Sequence, residues 1–385
     1  MIFSGLPRTV VILGLVSLMN DMASDMIAPL LPIFLTAALG AGPAVVGLIE
    51  GVAETTASLL KLWSGRLVDR GASQKKLAVG GYLLSNAIRP TLGAVGSWGA
   101  VLLIRFTDRV GKGLRTAPRD ALISASVDEG ARGRAFGLHR SMDHAGAMIG
   151  PIAASALLAV GFGVNEVFYF SVIPGMAAVA LLAFGVNEPS YTAPAIPSMP
   201  PPKWSDMDGR MRAMILSAGG LAFSAVPDAF FALWLSVSGV PLAWIPVAWT
   251  AAHLVKSAVA MPAGKLSDSA GRVPVALFSW TARAVVAAIM PWFGGAWMAT
   301  LFFLLYAGAS AGSEGAERAL IGDKAGESSR GSAFGMYHMV AGLLALPGAA
   351  LFGAVWQVFG AQAAFMMSSA VTLVSALLMR RETRG

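Results

Sequence analysis

Ionisable side chains interrupt otherwise apolar segments of this sequence, and they are the first candidates for chemistry. Asp21 and Asp25 are four residues apart in an apolar stretch that runs from Thr9 to about Leu39. Residues four apart share one face of an α-helix. A carboxylate in an apolar site favours binding a proton, whereas a nearby arginine favours the ionised form. The pair therefore predicts reversible proton binding.

Two further stripes of charge recur at helical spacing. Glu50, Glu54 and Lys61 stand at i, i+4 and i+11 of one apolar segment. A later segment carries four charges at i, i+3, i+4 and i+7, namely Arg105, Asp108, Arg109 and Lys112. A charge at the bilayer centre costs about 2.5–3.5 kcal/mol on insertion scales. We therefore expect each stripe to face a cavity or a neighbouring helix rather than lipid.

The intramembrane charges are distributed unequally between the two halves of the chain. The N-terminal half holds twelve of them and the C-terminal half three, which are Asp228, Lys256 and Arg283. This asymmetry predicts ion coupling in the first half. Asp25 and Asp21 are the first candidates for protonation, followed by Glu54 and Glu50. Fixed ion pairs that only specify helix packing remain the alternative for each residue.

Histidines and arginines extend the set of candidate site residues. His139 and Asp143, and Arg140 and His144, are each four residues apart, and a hydrogen-bonded core or proton relay is favoured over a metal site because a fuller ligand set is missing. We expect no metal and no cofactor. The arginines favour a substrate with negative groups, unless protein partners already neutralise them. The predicted substrate cavity comprises Arg89, Arg140, Asp143, His144, Asp228, His253 and Lys256.

Membrane-spanning helices must position these side chains. Of the 385 residues, 56% are apolar and 13% are charged, about half the charged fraction of soluble domains. So few charges cannot cover a water-soluble surface. The chain has no cysteine and no phosphate-binding glycine loop of the nucleotide-hydrolase type. Transport energy must then come from an ion gradient or from the substrate's own gradient.

The apolar runs predict an all-α membrane protein of twelve transmembrane helices. The predicted spans are 9–37, 43–64, 77–96, 99–118, 135–160, 166–186, 213–236, 241–263, 274–293, 297–320, 333–357 and 362–379. A proline-rich segment separates the sixth span from the seventh. We therefore expect an N-terminal six-helix bundle (1–187), a cytoplasmic linker (188–212) and a C-terminal six-helix bundle (213–385).

Basic residues predict the orientation of the chain in the membrane. Twenty of the 28 lysines and arginines fall in the even-numbered turns, the linker and the termini, and the odd-numbered turns hold none. Cytoplasmic loops carry an excess of basic residues. This pattern places both termini in the cytoplasm, in a multi-pass protein of the bacterial inner (cytoplasmic) membrane. The net charge of +7 therefore reflects topology and not nucleic-acid binding.

The two halves repeat each other in sequence. Gly65-Arg-Leu-Val-Asp69 recurs as Gly264-Lys-Leu-Ser-Asp268, 199 positions later. Arg132-Gly-Arg-Ala-Phe-Gly137 recurs as Arg330-Gly-Ser-Ala-Phe-Gly335, and Asp120-Ala-Leu-Ile recurs as Arg318-Ala-Leu-Ile, both 198 positions later. Self-similarity at a nearly constant offset indicates duplication. The chain is predicted to be a tandem duplication of six helices.

The duplicated motif resembles the signature of the major facilitator superfamily, over essentially the whole chain. That family has two six-helix bundles related by a pseudo-two-fold axis, with a central site between them. The second copy fits the signature well, whereas the first copy is shifted, with its glycine one position early. The resemblance implies that Asp69 latches the cytoplasmic side when the cavity faces outward. The gating residues so assigned are Gly65, Asp69, Arg70, Gly264, Asp268 and Arg272.

Two further motifs resemble the drug and metabolite:proton antiporter branch of that family. Gly146, Gly150 and Pro151 resemble its fifth-helix motif, and the physical alternative is close helix packing by small residues. In the fourth helix, Arg109 with Gly113 fits the family's arginine motif, and Arg105 is the competing assignment. The resemblance implies that an acid of the first helix pairs with this arginine.

These observations predict a proton-coupled antiporter that exports a small organic compound by alternating access, and not an enzyme. A proton symporter or uniporter for an organic anion is the alternative. A non-transporting membrane sensor or scaffold is the alternative from another class. The expected partners are the substrate, the proton and the lipid bilayer, with no nucleic acid, and the expected state is a monomer.

Overall fold

The structure, a computed structural model, describes residues 6–128, 131–187, 209–324 and 330–384. Every regular element in these ranges is helical. Each predicted span overlaps one of these helices or a pair that continues it. Most of the predicted linker, residues 188–208, lies outside the described ranges. The remaining predicted linker residues already belong to a helix that begins at Gly209.

The N-terminal half contains seven labelled helices. The first ends where Pro29 and Pro32 follow it, and the chain continues through one turn at Leu31–Ile33 and a π-helical turn at Phe34–Ala38. A short break at Ser171 separates the last two helices. The helices are α1 (Arg8–Ile27), α2 (Pro43–Asp69), α3 (Gln74–Ile88), α4 (Trp98–Ala125), α5 (Arg132–Ala159), α6 (Val164–Phe170) and α7 (Val172–Gly185).

The described part of the C-terminal half contains six labelled helices. The seventh predicted span is broken at residues 225–227, between two helical segments. The last helix is interrupted at Gly360, whose φ of 88° is a left-handed conformation that favours glycine. The helices are α8 (Gly209–Ser224), α9 (Asp228–Val237), α10 (Ile245–Ala270), α11 (Arg272–Ile289), α12 (Ala296–Lys324) and α13 (Arg330–Arg384).

Eight helical segments of the described residues are long and apolar enough to cross a membrane. They include helices α2, α10 and α11. The others are helical segments of both halves, some of which span a break between two labelled helices. Helix α4 is not among them, and five charged residues occupy its middle: Arg105, Asp108, Arg109, Lys112 and Arg115. Helix α4 therefore has the most charged residues of the described helices. It lies in the first half of the chain, where these side chains must be buried.

The described residues form two compact units. The first comprises those in Met1–Phe34 and Thr56–Met199, and the second those in Leu35–Thr55 and Pro200–Gly385. The start of α2 belongs to the second unit because it lies closely against α13. A Cβ atom at Gly51 would lie 2.9 Å from the Leu346 backbone, and the Thr55 hydroxyl donates to a backbone carbonyl of α13 at 2.6 Å.

Glycines bring α5 into backbone contact with α1 in the first unit. A Cβ atom at Gly146 would overlap the carbonyl oxygen of Leu18, and one at Gly150 would overlap that of Met22. The same arrangement recurs in the second unit, where Gly348, 198 positions after Gly150, lies against the backbone of α8. Small residues allow such close helix approach. The sequence repeat is therefore also a repeat of helix packing.

We expect Gly150→Ala to lower the melting temperature of the purified protein in detergent, because the added methyl group forces α5 away from α1. Overpacking of this kind costs about 1–3 kcal/mol. Gly137→Ala is the matched control, since it lies in the same helix and no heavy atom lies within 4 Å of its Cβ position. Equal melting temperatures for the two variants would contradict the close crossing.

Candidate functional site in the interior of the first helical unit

A buried ion pair joins the end of α3 to α4. The Nε atom of Arg89 lies 2.7 Å from Oδ1 of Asp108, and the two residues are 4% and 1% exposed. Two more guanidinium groups approach Oδ2 of the same carboxylate, Arg105 at 3.7 Å and Arg109 at 3.6 Å. One carboxylate thus faces three arginines. The assignment of the fourth-helix motif to Arg109 or Arg105 stays open, because both contact Asp108.

Two buried asparagines extend this ion pair to α1. Arg89 donates from Nη1 to the side-chain oxygens of Asn86 at 3.0 Å and Asn20 at 3.3 Å. Asn86 donates in turn to Asn20 at 3.3 Å and to the backbone oxygen of Tyr82 at 2.9 Å. Asn20 donates to Asp21 at 2.9 Å. Helices α1, α3 and α4 are therefore connected by one polar network.

A close crossing of α3 and α4 makes this network possible. A Cβ atom at Gly81 would lie 2.6 Å from the carbonyl oxygen of Gly111. The approach places the hydroxyl of Ser85 2.8 Å from the backbone oxygen of Asp108, to which it donates, and Arg115 donates to that hydroxyl at 2.8 Å. Glycine is needed at this crossing because any side chain would separate the two backbones.

A second polar cluster lies where α5 crosses α1. The hydroxyl of Ser17 donates a short hydrogen bond to Asp143. His139 Nε2 lies 3.7 Å from one oxygen of Asp143, and Arg140 Nη1 lies 3.5 Å from the other. Asp143 precedes Gly146 by one turn, so the close backbone contact of the two helices holds it against α1. His144, by contrast, is exposed.

Asp21 faces the same seam. It is half-buried, stands one turn after Ser17 on α1, and interacts electrostatically with Asp143, Arg115 and Arg119. Two carboxylates therefore act on each other across α1 and α5. Burying two like charges together is costly, and a proton on either one removes that cost. Asp21 and Asp143 thus act on each other, whereas Asp108 forms ion pairs with arginines.

Asp25, Glu50 and Glu54 are the other acids predicted to bind a proton. Asp25 is half-buried on α1, and Glu50 is half-buried and Glu54 exposed on α2. Glu50 and Glu54 belong to the second compact unit, whereas Asp21 and Asp25 belong to the first. The roles of these four acids in proton coupling stay predictions.

The predicted cavity residues of the second half lie on α9 and α10. Asp228, the first residue of α9, has a carboxylate oxygen 4.0 Å from Nζ of Lys256, and their side chains are 61% and 31% exposed. His253 is half-buried, with its ring centroid 6.4 Å from that of Trp249. Phe230 and Trp234 are buried and belong to an aromatic core.

A glycine with a positive φ follows each of the two helices that carry a gating motif. Helix α2 ends at Asp69 and is followed by Gly71 at a φ of 88°, and α10 is followed by Gly271 at a φ of 97°. Both glycines adopt left-handed conformations that terminate a helix. In the second copy Asp268 forms an ion pair with Arg272. In the first copy Asp69, Arg70 and Gly71 are all exposed.

Several polar residues of the network have no place among the predicted site residues. Asn20, Asn86, Ser85, Ser17 and Asp108 are all buried and connect separate helices. For Asp108 a signal exists in the sequence, because Arg105 and Asp108 stand at i and i+3. Among the described residues, no three His, Asp or Glu residues are grouped to hold a metal ion.

The helical architecture and the charges inside it define a multi-pass membrane transporter. The model of the Major Facilitator Superfamily matches residues 13–255. The chain therefore belongs to that superfamily, which identifies it as a transporter and not an enzyme. The fold class predicted from the repeat and the gating motif is confirmed, while the antiporter branch stays a prediction.

The chain is similar in sequence to proteins from an archaeon and from mycobacteria. An uncharacterised MFS-type transporter of Methanocaldococcus jannaschii, MJ1317, is 29% identical over 381 residues, which cover 97% of this chain and 94% of that protein. The uncharacterised protein Rv2265 of Mycobacterium tuberculosis is 38% identical over 181 residues, 46% of this chain and 43% of that protein. The shared segment is thus about half of each chain.

Solved structures share the fold at low sequence identity. The nucleoside transporter NupG (D323A mutant) has a TM-score of 0.81 at 13% identity, covering 97% of this chain and 99% of that one. A bacterial homologue of the human lysosomal transporter Spinster, inward-facing and occupied, has a TM-score of 0.78 at 16% identity, covering 97% and 96%. These similarities establish the fold and not the substrate.

We expect Asp108→Asn to destabilise the protein strongly, because it leaves Arg89 and its neighbours without their carboxylate. Removing one partner of a buried ion pair costs about 3–5 kcal/mol. Thermal unfolding in detergent measures the effect. Asp268→Asn is the control, since its pair with Arg272 is exposed and an exposed pair contributes at most about 1 kcal/mol. Equal losses in the two variants would show that the network does not stabilise the first unit.

Proposed function

We propose that this transporter is a proton-coupled antiporter that exports a small organic compound from the cytoplasm by alternating access. The observation that supports proton coupling is the position of Asp21 one turn after Ser17, whose hydroxyl donates to Asp143 across the α1–α5 seam. These two acids share one seam, where a proton on either relieves their repulsion. The rest of the proposal rests on the family and on the sequence motifs.

The proton changes the forces across the seam. With both acids ionised, Asp143 attracts Arg140 and repels Asp21. Protonation of one acid removes the repulsion and weakens the attraction, so that the balance between two arrangements of α1 and α5 shifts. A ligand moves such an equilibrium only by binding the two states with different affinity. In this transporter the proton is one such ligand, and the transported compound is a second.

Asp108 has a different role in this proposal. Its carboxylate is engaged by Arg89 and faces two further arginines. A proton would have to displace these contacts, whose loss is costly in a buried site. Asp108 therefore remains a fixed element of the first unit, and the exchange of protons takes place at the α1–α5 seam.

Uptake of an organic anion by symport or uniport is the second candidate. The three arginines around the carboxylate of Asp108 favour it, because guanidinium groups bind anions. The helix-5 glycines, which motivate antiport, explain the close packing of α5 on α1 equally well. The direction of proton movement relative to the substrate separates the two candidates.

The orientation also belongs to the proposal. Basic residues in the even-numbered turns support cytoplasmic termini and a place in the cytoplasmic membrane. The exposed motifs at the ends of α2 and α10 would then lie on the cytoplasmic side, as gating requires. Nothing in the mechanism needs a second subunit, and we propose a monomer as the transporting unit.

We expect substrate-driven proton flux in liposomes that contain the purified protein and an internal pH dye. A panel of organic cations, neutral drugs and carboxylates is added outside, and proton movement opposite to the substrate supports antiport. Asp21→Asn and Asp143→Asn should each abolish proton movement, because one acid alone has no repulsion to relieve. Substrate counterflow, which needs no net proton transfer, should persist.

The control variant is Glu166→Gln, because this acid lies in the first turn of α6 and is exposed. It should transport protons like the original protein. Asp25→Asn and Arg109→Ala test the remaining predictions for the first unit. Proton flux in the same direction as the substrate would replace antiport by symport, and flux unchanged in both seam variants would remove the proton site from α1 and α5.

A further inference from the structure

Arg283, a buried arginine of the second unit, has no carboxylate partner among the described residues, whereas the buried Arg89 of the first unit is paired with Asp108. Two of the three repeated segments are 198 positions apart and the third is 199 apart. At the offset of 198, Asp108 of α4 corresponds to Tyr306 of α12. Ser279 of α11, which corresponds to Gly81, is again the site of a close crossing, because a Cβ atom at Gly312 would lie 2.6 Å from its hydroxyl. The neutral phenol of Tyr306 thus stands where the first unit has its carboxylate.

Arg283 lies on α11, one turn before the position that corresponds to Arg89, and is 6% exposed. Its Nη2 atom is buried and has no hydrogen-bond partner within the part of the chain that the structure describes. Arg283 interacts electrostatically with Tyr306, whose hydroxyl also interacts with the backbone of Val226. No carboxylate of the described residues forms an ion pair with Arg283.

Further donors surround the same region. The indole N–H groups of Trp234 and Trp249 are buried and have no partner among the described residues. The ring centroid of Phe231 lies 4.6 Å from that of Tyr306 and 5.2 Å from that of Phe303. The ring centroids of Phe303 and Trp249 are 6.2 Å apart. The donors therefore lie around one aromatic core, on α9, α10 and α11.

The acids near this core do not neutralise the arginine. Tyr306 interacts electrostatically with Arg283, Lys256 and Asp228, so two cations accompany one acid. The Asp228 side chain is 61% exposed and lies 4.0 Å from Lys256. Glu317, on α12, accepts hydrogen bonds from Trp280 and Tyr337 instead. A buried positive charge without a paired acid is costly.

We propose that Arg283 binds the carboxylate group of the transported compound, which makes the substrate an organic anion. This deepens the proposed function and rests on the protein being a transporter. A guanidinium group binds a carboxylate with two parallel, charge-assisted hydrogen bonds. The bound anion supplies the negative charge that Asp108 supplies in the first unit, and the aromatic core offers apolar contact to the rest of the compound.

The first test is binding, measured as thermal stabilisation of the purified protein in detergent. Benzoate, succinate and citrate are the probes, and benzamide and succinamide are their uncharged counterparts. At millimolar concentration at least one carboxylate should raise the melting temperature, because a ligand that binds the folded state stabilises it. The amides should not. Arg283→Gln should weaken the binding at least about tenfold, and the exposed-residue control Arg8→Gln should leave it unchanged.

The stability of the ligand-free variants separates a binding residue from a structural one. Arg283→Gln should melt at the same temperature or higher without a carboxylate, since it removes an uncompensated charge. Tyr306→Asp should raise the melting temperature and abolish stabilisation by carboxylates, because it recreates the pair of the first unit. A strong loss of stability in Arg283→Gln, or no carboxylate stabilising the original protein, would overturn the proposal. These measurements need no membrane or proton gradient, so they stand if antiport fails.

Discussion

The cost of holding a charge inside an apolar helix bundle governs how this protein is built. In the first unit the structure meets that cost with a carboxylate and two asparagines around Arg89. In the second unit Arg283 is equally buried, yet Tyr306 stands at the position of the acid. The duplicated halves have thus diverged in their charges while keeping their helix packing. In the first unit Arg89 has a carboxylate partner, whereas in the second unit Arg283 has none among the described residues.

Glycines determine which charges meet. The crossing of α3 and α4 at Gly81 and Gly111 lets Ser85 reach the backbone of Asp108. The crossing of α1 and α5 at Gly146 holds Asp143 against Ser17. A residue with a side chain at either crossing would separate the helices and pull the polar groups apart. The helix-5 glycines therefore act through packing, which holds Asp143 against α1.

The amino-acid pattern predicted the helices well, because apolar runs and basic loops follow directly from the bilayer. It predicted less of the site. Helical spacing relates residues on one helix, such as Arg105 and Asp108. The pairs Arg89–Asp108 and Asn20–Asn86, by contrast, each join two different helices. Those pairings depend on the helix crossings, which spacing does not contain. For the same reason Asn20 and Ser17, which are uncharged, gave no signal as site residues.

Infrared difference spectroscopy of the reconstituted protein tests most directly which of the acids Asp21, Asp143 and Asp108 exchange a proton. A pH step should produce the carbonyl band of a newly protonated carboxylic acid. The account predicts that this band disappears in Asp143→Asn or Asp21→Asn and persists in Asp108→Asn, because only the α1–α5 seam exchanges a proton. A band that persists in both seam variants and disappears in Asp108→Asn would contradict it.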